Sequence, residues 1–301
     1  HPDSILWRSQ YAVPDPRYDI LHDQARVWGK PGVHYHQFLK AGENTLNLKL
    51  CRLLMHSLLE KNGYNPDDYQ KRYIALMTTP GSHRDTYVEE YHRHFFARLA
   101  EGRSPRKCGI QEKHIGGLVG LVPIITYYRH EPQTAATAAR NHLALTHRGP
   151  RMERSADFII ETLLRVLQGE SLKEVLMSGM KAQTNPFFGH PFAKWLEQPD
   201  DVVVGRRLST ACYVEDAVPA VIYLAYKYTE NPERGLVANT NLGGDNAHRG
   251  ALLGALLGAA NGLASFPERW VAGLEDSEAI RQHIKDVSTS PSNVTIPNDV
   301  N

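Results

Sequence analysis

The chain has 301 residues, enough for one large domain or two modest ones. Hydrophobic residues make up 42% of it, sufficient for a sizeable core. Lys+Arg 34 against Asp+Glu 33 leaves a formal charge of +1, which excludes a global field that recruits nucleic acid or a membrane surface. An anionic ligand must therefore be held by local geometry.

The first 40 residues read as irregular, broken by Pro2, Pro14, Pro16 and Pro31. From Thr45 the pattern changes. Leu46, Leu48, Leu50, Leu53, Leu54, Leu58 and Leu59 predict an apolar helix that stops near Asn62-Gly63. Pro66-Asp67-Asp68 opens the next, with acids where the helix dipole favours them, and it carries Tyr69, Tyr73, Ile74 and Met77 toward a core. Apolar spacings of three and four predict further helices at about 85–101, 117–128, 132–145, 152–167, 172–180, 214–228 and 249–263. Alternation of the β type is scarce, so the expected fold class is all-α, a helical bundle in a single domain. The expected organisation is an irregular segment over residues 1–40 packed on a domain spanning 41–286, with a Ser/Pro/Asn-rich tail over 287–301.

In the helix near residue 250, Gly250, Gly254, Gly258 and Gly262 recur at every fourth position. Each costs about 1 kcal/mol of propensity against Ala, so the stripe predicts a close helix crossing. No apolar run approaches the roughly 18 residues of a membrane span. Cys51, Cys108 and Cys212 lie far apart and form no C-x-x-C pair, which argues for a reducing, cytoplasmic compartment. The chain begins at His1, so a removed signal peptide, and with it secretion, stays open.

The stretch Leu242-Gly243-Gly244-Asp245-Asn246-Ala247-His248-Arg249-Gly250, entering the glycine-striped helix, resembles the C-terminal G-G-D-T-D-T signature of ADP-ribosylglycohydrolases. Further matches follow in the family's order. Gly42-Glu43-Asn44-Thr45 stands where the family has T-D-D-T, and Ile115-Gly116-Gly117 through Pro123 resembles its G-N-G-x-x-M-R-x-x-P loop. Leu145-Thr146-His147 resembles its L-T-H element, and Cys212-Tyr213-Val214-Glu215-Asp216 its G-Y-x-x-E-T segment. The resemblance covers roughly residues 35–265. It implies an all-α fold, an activity that removes ADP-ribose from modified side chains, and two Mg²⁺ ions between the T-D-D and D-x-D-T motifs.

The metal motifs depart from that pattern. One carboxylate of the first motif survives as Glu43 and one has become the amide of Asn44; in the second, Asp245 survives, Ala247 replaces an Asp and His248 a Thr. Two carboxylates are a poor cradle for two hard cations, so at most one divalent ion is expected, Mg²⁺, Mn²⁺ or Zn²⁺, on Glu43, Asn44, Asp245 and His248. Glu43, Asp245 and His248 are the candidate catalytic residues, Glu43 and Asp245 being expected to line one cleft. His248, at a helix N-terminus whose dipole disfavours positive charge, is expected to be neutral and to point at Asp245. Gly116, Gly117, His147 and Tyr213 are candidate ligand contacts, the glycines letting backbone N–H groups approach phosphate. A helix-entry turn, a capping histidine and a core tyrosine are the alternatives for these four.

His83, Asp85, Glu89, Glu90, His92 and His94 fall in one short stretch and could ligate a metal, but with Arg84 and Arg93 interleaved they read as a solvated helix face. His34 and His36 are possible replacements for lost ligands. Three functions follow: a hydrolase of an N- or O-ribosyl bond in a small ribosyl nucleotide or ADP-ribosylated substrate, with a rebuilt site; a catalytically silent binder of ADP-ribose or a nucleotide; or a structural, crystallin-like protein. No nucleic-acid or membrane partner is expected.

Overall fold

The computed structural model describes residues 39–85, 88–182, 187 and 189–290. The expected N-terminal segment over 1–38, with His34 and His36, and the tail from 291 lie outside the described residues.

Helix α1 (Leu46–Glu60) buries Leu46, Leu50, Leu54 and Leu58, one residue per turn, and stops where Asn62 (φ 52) takes the left-handed conformation. Helix α2 (Pro66–Thr78) is capped by Asn65, whose side chain accepts from the Asp68 N–H at 2.9 Å, and it buries Tyr69, Gln70 and Tyr73. Ile74 and Met77 pack partly buried against the same core. Helix α3 (Glu90–Ala100) starts five residues later than the sequence pattern predicts. Strand β1 (Ile110–Gln111) pairs in parallel with β2 (His147–Arg148), Ile110 opposite His147.

Between these strands lie α4 (Gly116–Val119), α5 (Leu121–Tyr127) and α6 (Pro132–Ala144). The helix expected over 117–128 is thus two, joined at Gly120. Then come α7 (Pro150–Leu167), α8 (Leu172–Lys181), the short α9 (Phe192–Trp195) and α10 (Asp200–Val203), and α11 (Val214–Lys227). Helices α12 (Pro232–Asn241) and α13 (Asn246–Asn261) follow, then α14 (Glu268–Ala272) and α15 (Ser277–Thr289). The last helix passes the domain boundary expected at 286, and Val287 on it is 1% exposed. Helices α9, α10, α12, α14 and α15 have no counterpart in the sequence reading.

The centre of the molecule is α11, which buries ten residues from Val214 to Ala225 and is apolar almost all round, as a helix enclosed by others must be. It packs on α7, α8, α12 and α13, while α15 closes over α1 and α5. The glycine stripe of α13 does less than expected. An added Cβ would lie 2.9 Å from Asn239 Nδ2 at Gly250, but only at van der Waals distance, 3.9 and 3.5 Å, from Leu236 at Gly254 and Phe266 at Gly258. The close approach is thus confined to the end of the helix nearest the site, while Leu252, Leu253, Leu256 and Leu257 form the buried face. Among the described residues, no helix is long and apolar enough to cross a membrane.

Candidate active site

Asp245 is the N-cap residue of α13, and its position is set by backbone. Gly243 and Gly244 both have positive φ (73 and 62), and a Cβ at Gly244 would stand 2.1 Å from the Thr210 carbonyl oxygen. Only glycine lets the chain pass so close. Asp245 N–H then donates to that same Thr210 oxygen at 2.9 Å. Beneath the turn lies Arg249, 0% exposed, whose guanidinium donates to Asn239 Oδ1 and the Gly243 carbonyl, each at 2.8 Å, and to the Thr210 carbonyl at 3.3 Å. A buried guanidinium persists only when its donors are satisfied, so Arg249 ties α12, the glycine turn and the Thr210 loop together.

Three residues on, His248 turns inward as expected, 7% exposed, with Nδ1 2.7 Å from Asp245 Oδ1. Its Nε2 lies against the side-chain amide of Asn47 and 3.5 Å from Glu89 Oε1. The same Asn47 amide donates to Glu89 Oε1 at 2.8 Å and its oxygen accepts from Tyr91 Oη at 2.8 Å. Asp245, His248 and Glu89 thus form a buried carboxylate–imidazole–carboxylate row. Burial works to discharge His248, but Asp245 and then Glu89 overcome it and push the imidazole up to about 9. The two carboxylates thus work against the helix dipole, which favours a neutral ring at this N-terminus. Burial also opposes ionisation of Asp245, yet the neighbouring His248 holds its carboxyl well below the usual range. Burial raises Glu89.

His114 completes the cluster. Its ring meets that of His248 edge-on at 4.8 Å between centroids, its Nε2 lies 3.8 Å from Asp245 Oδ2, and burial pushes it down to about 4. Its loop is sewn to the residues before α11: Ile115 N–H donates to the Cys212 carbonyl and Val214 N–H to the Lys113 carbonyl, each at 2.8 Å. Burial drives the Cys212 thiol up to about 12.

The residues expected from the first metal motif do not join this cluster. Glu43 is buried at its carboxylate, 3% exposed, but both oxygens are taken: Lys49 Nζ lies 3.2 Å from Oε1 and the Arg84 guanidinium binds both. Burial opposes its ionisation, and Arg84 and Lys49 prevail, holding the carboxyl below its ordinary value. From α1, Asn47 rather than Asn44 reaches His248. Among the described residues, the donor groups whose ligand atoms lie within 4.8 Å of one another are Glu89 with His114 and His248, and His114 with Cys212 and Asp245. Glu43 is in neither. A pair of Mg²⁺ ions does not fit these residues: Mg²⁺ takes oxygens, and here imidazole, amide and thiol replace them while Asp245 Oδ1 is engaged by His248.

The Gly116-Gly117 turn also differs from the phosphate loop expected. A Cβ on Gly117 would lie 2.7 Å from the His147 ring, and one on Gly116 2.9 Å from His114 Nδ1 and 3.0 Å from Tyr91 Oη. The glycines make room for rings. His147, 1% exposed, bonds through Nδ1 to Thr146 Oγ1 at 2.8 Å and faces inward on a cavity of about 40 Å³ shared with Asn47, Tyr91, His92 and His142. A ligand of nucleotide size needs roughly 300–1,000 Å³, so that cavity holds none. Tyr213 is 51% exposed at the start of α11, which rules out the core alternative for it.

The short acidic and histidine stretch splits in two. Glu90 and His94 form the expected exposed pair at 3.2 Å, but Glu89 and His92 are 7% and 1% exposed. The signal was present: α3 buries Tyr91, His92 and Phe95, and Glu89 stands three residues before His92 on that face. Asp85 instead caps α1 through the Leu46 N–H.

A family model for ADP-ribosylglycohydrolase matches residues 8–294. The chain belongs to the ADP-ribosylglycohydrolase family. A solved structure described as an "ADP-ribosylglycohydrolase-related protein complex" is similar to it at 22% identity, covering 97% of this chain and 95% of that one with a TM-score of 0.67, which supports the all-α single-domain fold. Among curated proteins, none matches the chain significantly. The glycine turn that resembles the family's C-terminal signature is present here as Gly243-Gly244-Asp245.

Proposed function

We propose that the chain is a hydrolase of an N- or O-ribosyl bond in a small ribosyl nucleotide or an ADP-ribosylated substrate, working from Asp245 and His248. The observation that carries this reading is the 2.7 Å contact between His248 Nδ1 and Asp245 Oδ1, made where the family pattern has a carboxylate and a hydroxyl. Ribosyl cleavage passes through an oxocarbenium-like state, which needs negative charge near the anomeric carbon and an acceptor for the proton of the attacking water. Asp245 Oδ2 supplies both in this reading: it is buried but has no hydrogen-bond partner among the described residues, so a water that reaches it finds a free acceptor. His248 holds the other oxygen, and Glu89 behind it keeps the ring fixed. Tyr213 beside His114 forms the exposed rim against which a ribosyl or adenine ring can lie. Release of free ADP-ribose by the full chain, lost in Asp245→Asn, tests the reading.

A silent binder or a crystallin-like protein draws on a different observation, the locking of Glu43 by Arg84 and Lys49, which leaves Asp245 as the surviving motif carboxylate at the cluster. Calorimetry with ADP-ribose separates the three: heat with turnover, heat alone, or neither.

A further inference from the structure

We propose that His114, Cys212 and Asp245 form a site for one Zn²⁺ ion. The three side chains bring a nitrogen, a sulfur and an oxygen within 4.8 Å of one another. Such a mixed set selects a borderline-soft cation over Mg²⁺ or Ca²⁺. The convergence is built by backbone, not by chance rotamers. The residues on either side of His114 are hydrogen-bonded to the segment around Cys212, with His114 and Tyr213 in an antiparallel bridge. Two residues before Cys212, the Thr210 carbonyl accepts the Asp245 N–H at 2.9 Å. Three separate loops are thereby held in register around one point.

The donor atoms are the ones the rest of the site leaves over. Asp245 Oδ1 is committed to His248, whereas Oδ2 is buried without a hydrogen-bond partner and lies 3.8 Å from His114 Nε2. The second candidate group, on Glu89, His114 and His248, is weaker because the Asn47 amide already occupies His248 Nε2. Zinc at His114 Nε2 puts the ring proton on Nδ1, so the Gly116 N–H, now donating to that nitrogen at 3.0 Å, loses its acceptor and the two N–H groups must move apart as the ion binds. The Cys212 thiol proton leaves to solvent as the thiolate binds. In this arrangement the Asp245–His248 contact becomes the outer-shell bond that orients a metal-bound carboxylate. Three protein donors leave the fourth tetrahedral position for water or a substrate oxygen. Oδ2 bound to the ion no longer stands free as the acceptor in the proposed hydrolysis, so the site does not depend on that reading, and every readout below is of binding.

The test is titration of the full chain, stripped with chelator, with Co²⁺ alone and then Zn²⁺. The expected result is one Co²⁺ per chain with a thiolate-to-cobalt charge-transfer band, displaced by Zn²⁺. Cys212→Ser should lose the band and bind at least tenfold more weakly, while Cys51→Ser and Cys108→Ser keep both. Zinc-edge X-ray absorption on the wild-type chain, which needs no variant to fold, should find one sulfur among nitrogen and oxygen neighbours. A wild-type chain that takes up no Co²⁺, a band that survives Cys212→Ser, or a zinc shell without sulfur overturns the proposal.

Discussion

Asp245 Oδ1 accepts twice from His248, from its backbone N–H at 3.4 Å and from its imidazole Nδ1 at 2.7 Å. One carboxylate oxygen therefore both caps α13 and anchors the imidazole that separates it from Glu89. Stability and site geometry depend on the same contact.

That coupling predicts the effect of removing the ring. His248→Ala leaves two buried carboxylates facing each other with no cation between, and breaking a buried pair in this way costs about 3–5 kcal/mol. Glu89→Gln in the same chain should recover part of the loss, because it removes one of the stranded charges. Urea unfolding of the single and double variants measures both effects. A His248→Ala chain within about 0.5 kcal/mol of wild type, the size of an ordinary surface substitution, would show that the row carries no such strain.

The glycines divide by what lies above them. Gly117→Ala places a Cβ 2.7 Å from the His147 ring, and such overpacking should cost about 1–3 kcal/mol with no ligand present. Gly244→Ala should be worse, since its φ is 62 and the obstacle is the Thr210 backbone. Gly254→Ala, with nothing nearer than Leu236 Cδ2 at 3.9 Å, should raise stability by about 0.5–1 kcal/mol. Thermal unfolding of the three variants checks the order. A loss at Gly254→Ala as large as at the other two would mean that α13 is closely packed at Gly254 as well.

Buried histidines set the response to acid. Burial pushes His92 and His142 down to about 3 and His114 to about 4 from 6.5. The unfolded chain binds these protons more readily, so the stability they give is present above about pH 6.5 and falls as pH drops toward the folded values. Each contributes a slope of about 1.4 kcal/mol per pH unit in that window. His248 has the opposite sign: raised to about 9, its contribution is full below 6.5 and is lost as pH rises through 9. In the presence of a chelator, stability should peak near neutral pH and fall steeply on the acid side, less so in His142→Leu. Urea midpoints that stay level from about pH 7 to pH 5 would contradict the neutral, buried state of these rings.

The helices with a strong apolar period were legible: α1, α2, α6, α7, α8 and α11 lie within a few residues of where Leu, Tyr and Ile spacing puts them. Short or polar elements such as α9, α10 and α12 carry too little periodicity to stand out, and α14 and α15 bury only Trp270, Ile280 and Val287. At the site, Asp245 and His248 were legible because they sit in a contiguous motif. Asn47 and His114 were not, since each comes from a different element and acquires its role only through long-range packing; Glu89 stood in a stretch read as a solvated face, although its spacing to the buried His92 was there in the sequence. Glu43 misled for the converse reason. A surviving acid reads as a ligand until the two cations that hold it, one of them Arg84 at forty-one positions' remove, are seen beside it.

The claim that the cluster is catalytic is tested most directly by turnover. The full chain, with Zn²⁺, Mn²⁺ or Mg²⁺ supplied in turn, is incubated with N-linked and O-linked ADP-ribosyl substrates, and free ADP-ribose is counted. Catalysis at Asp245 predicts release by the wild-type chain and a loss of at least a hundredfold in Asp245→Asn, the scale of removing one acid–base group, with helix content unchanged. No release by the wild-type chain with any of the three ions, or equal release by Asp245→Asn, would contradict it.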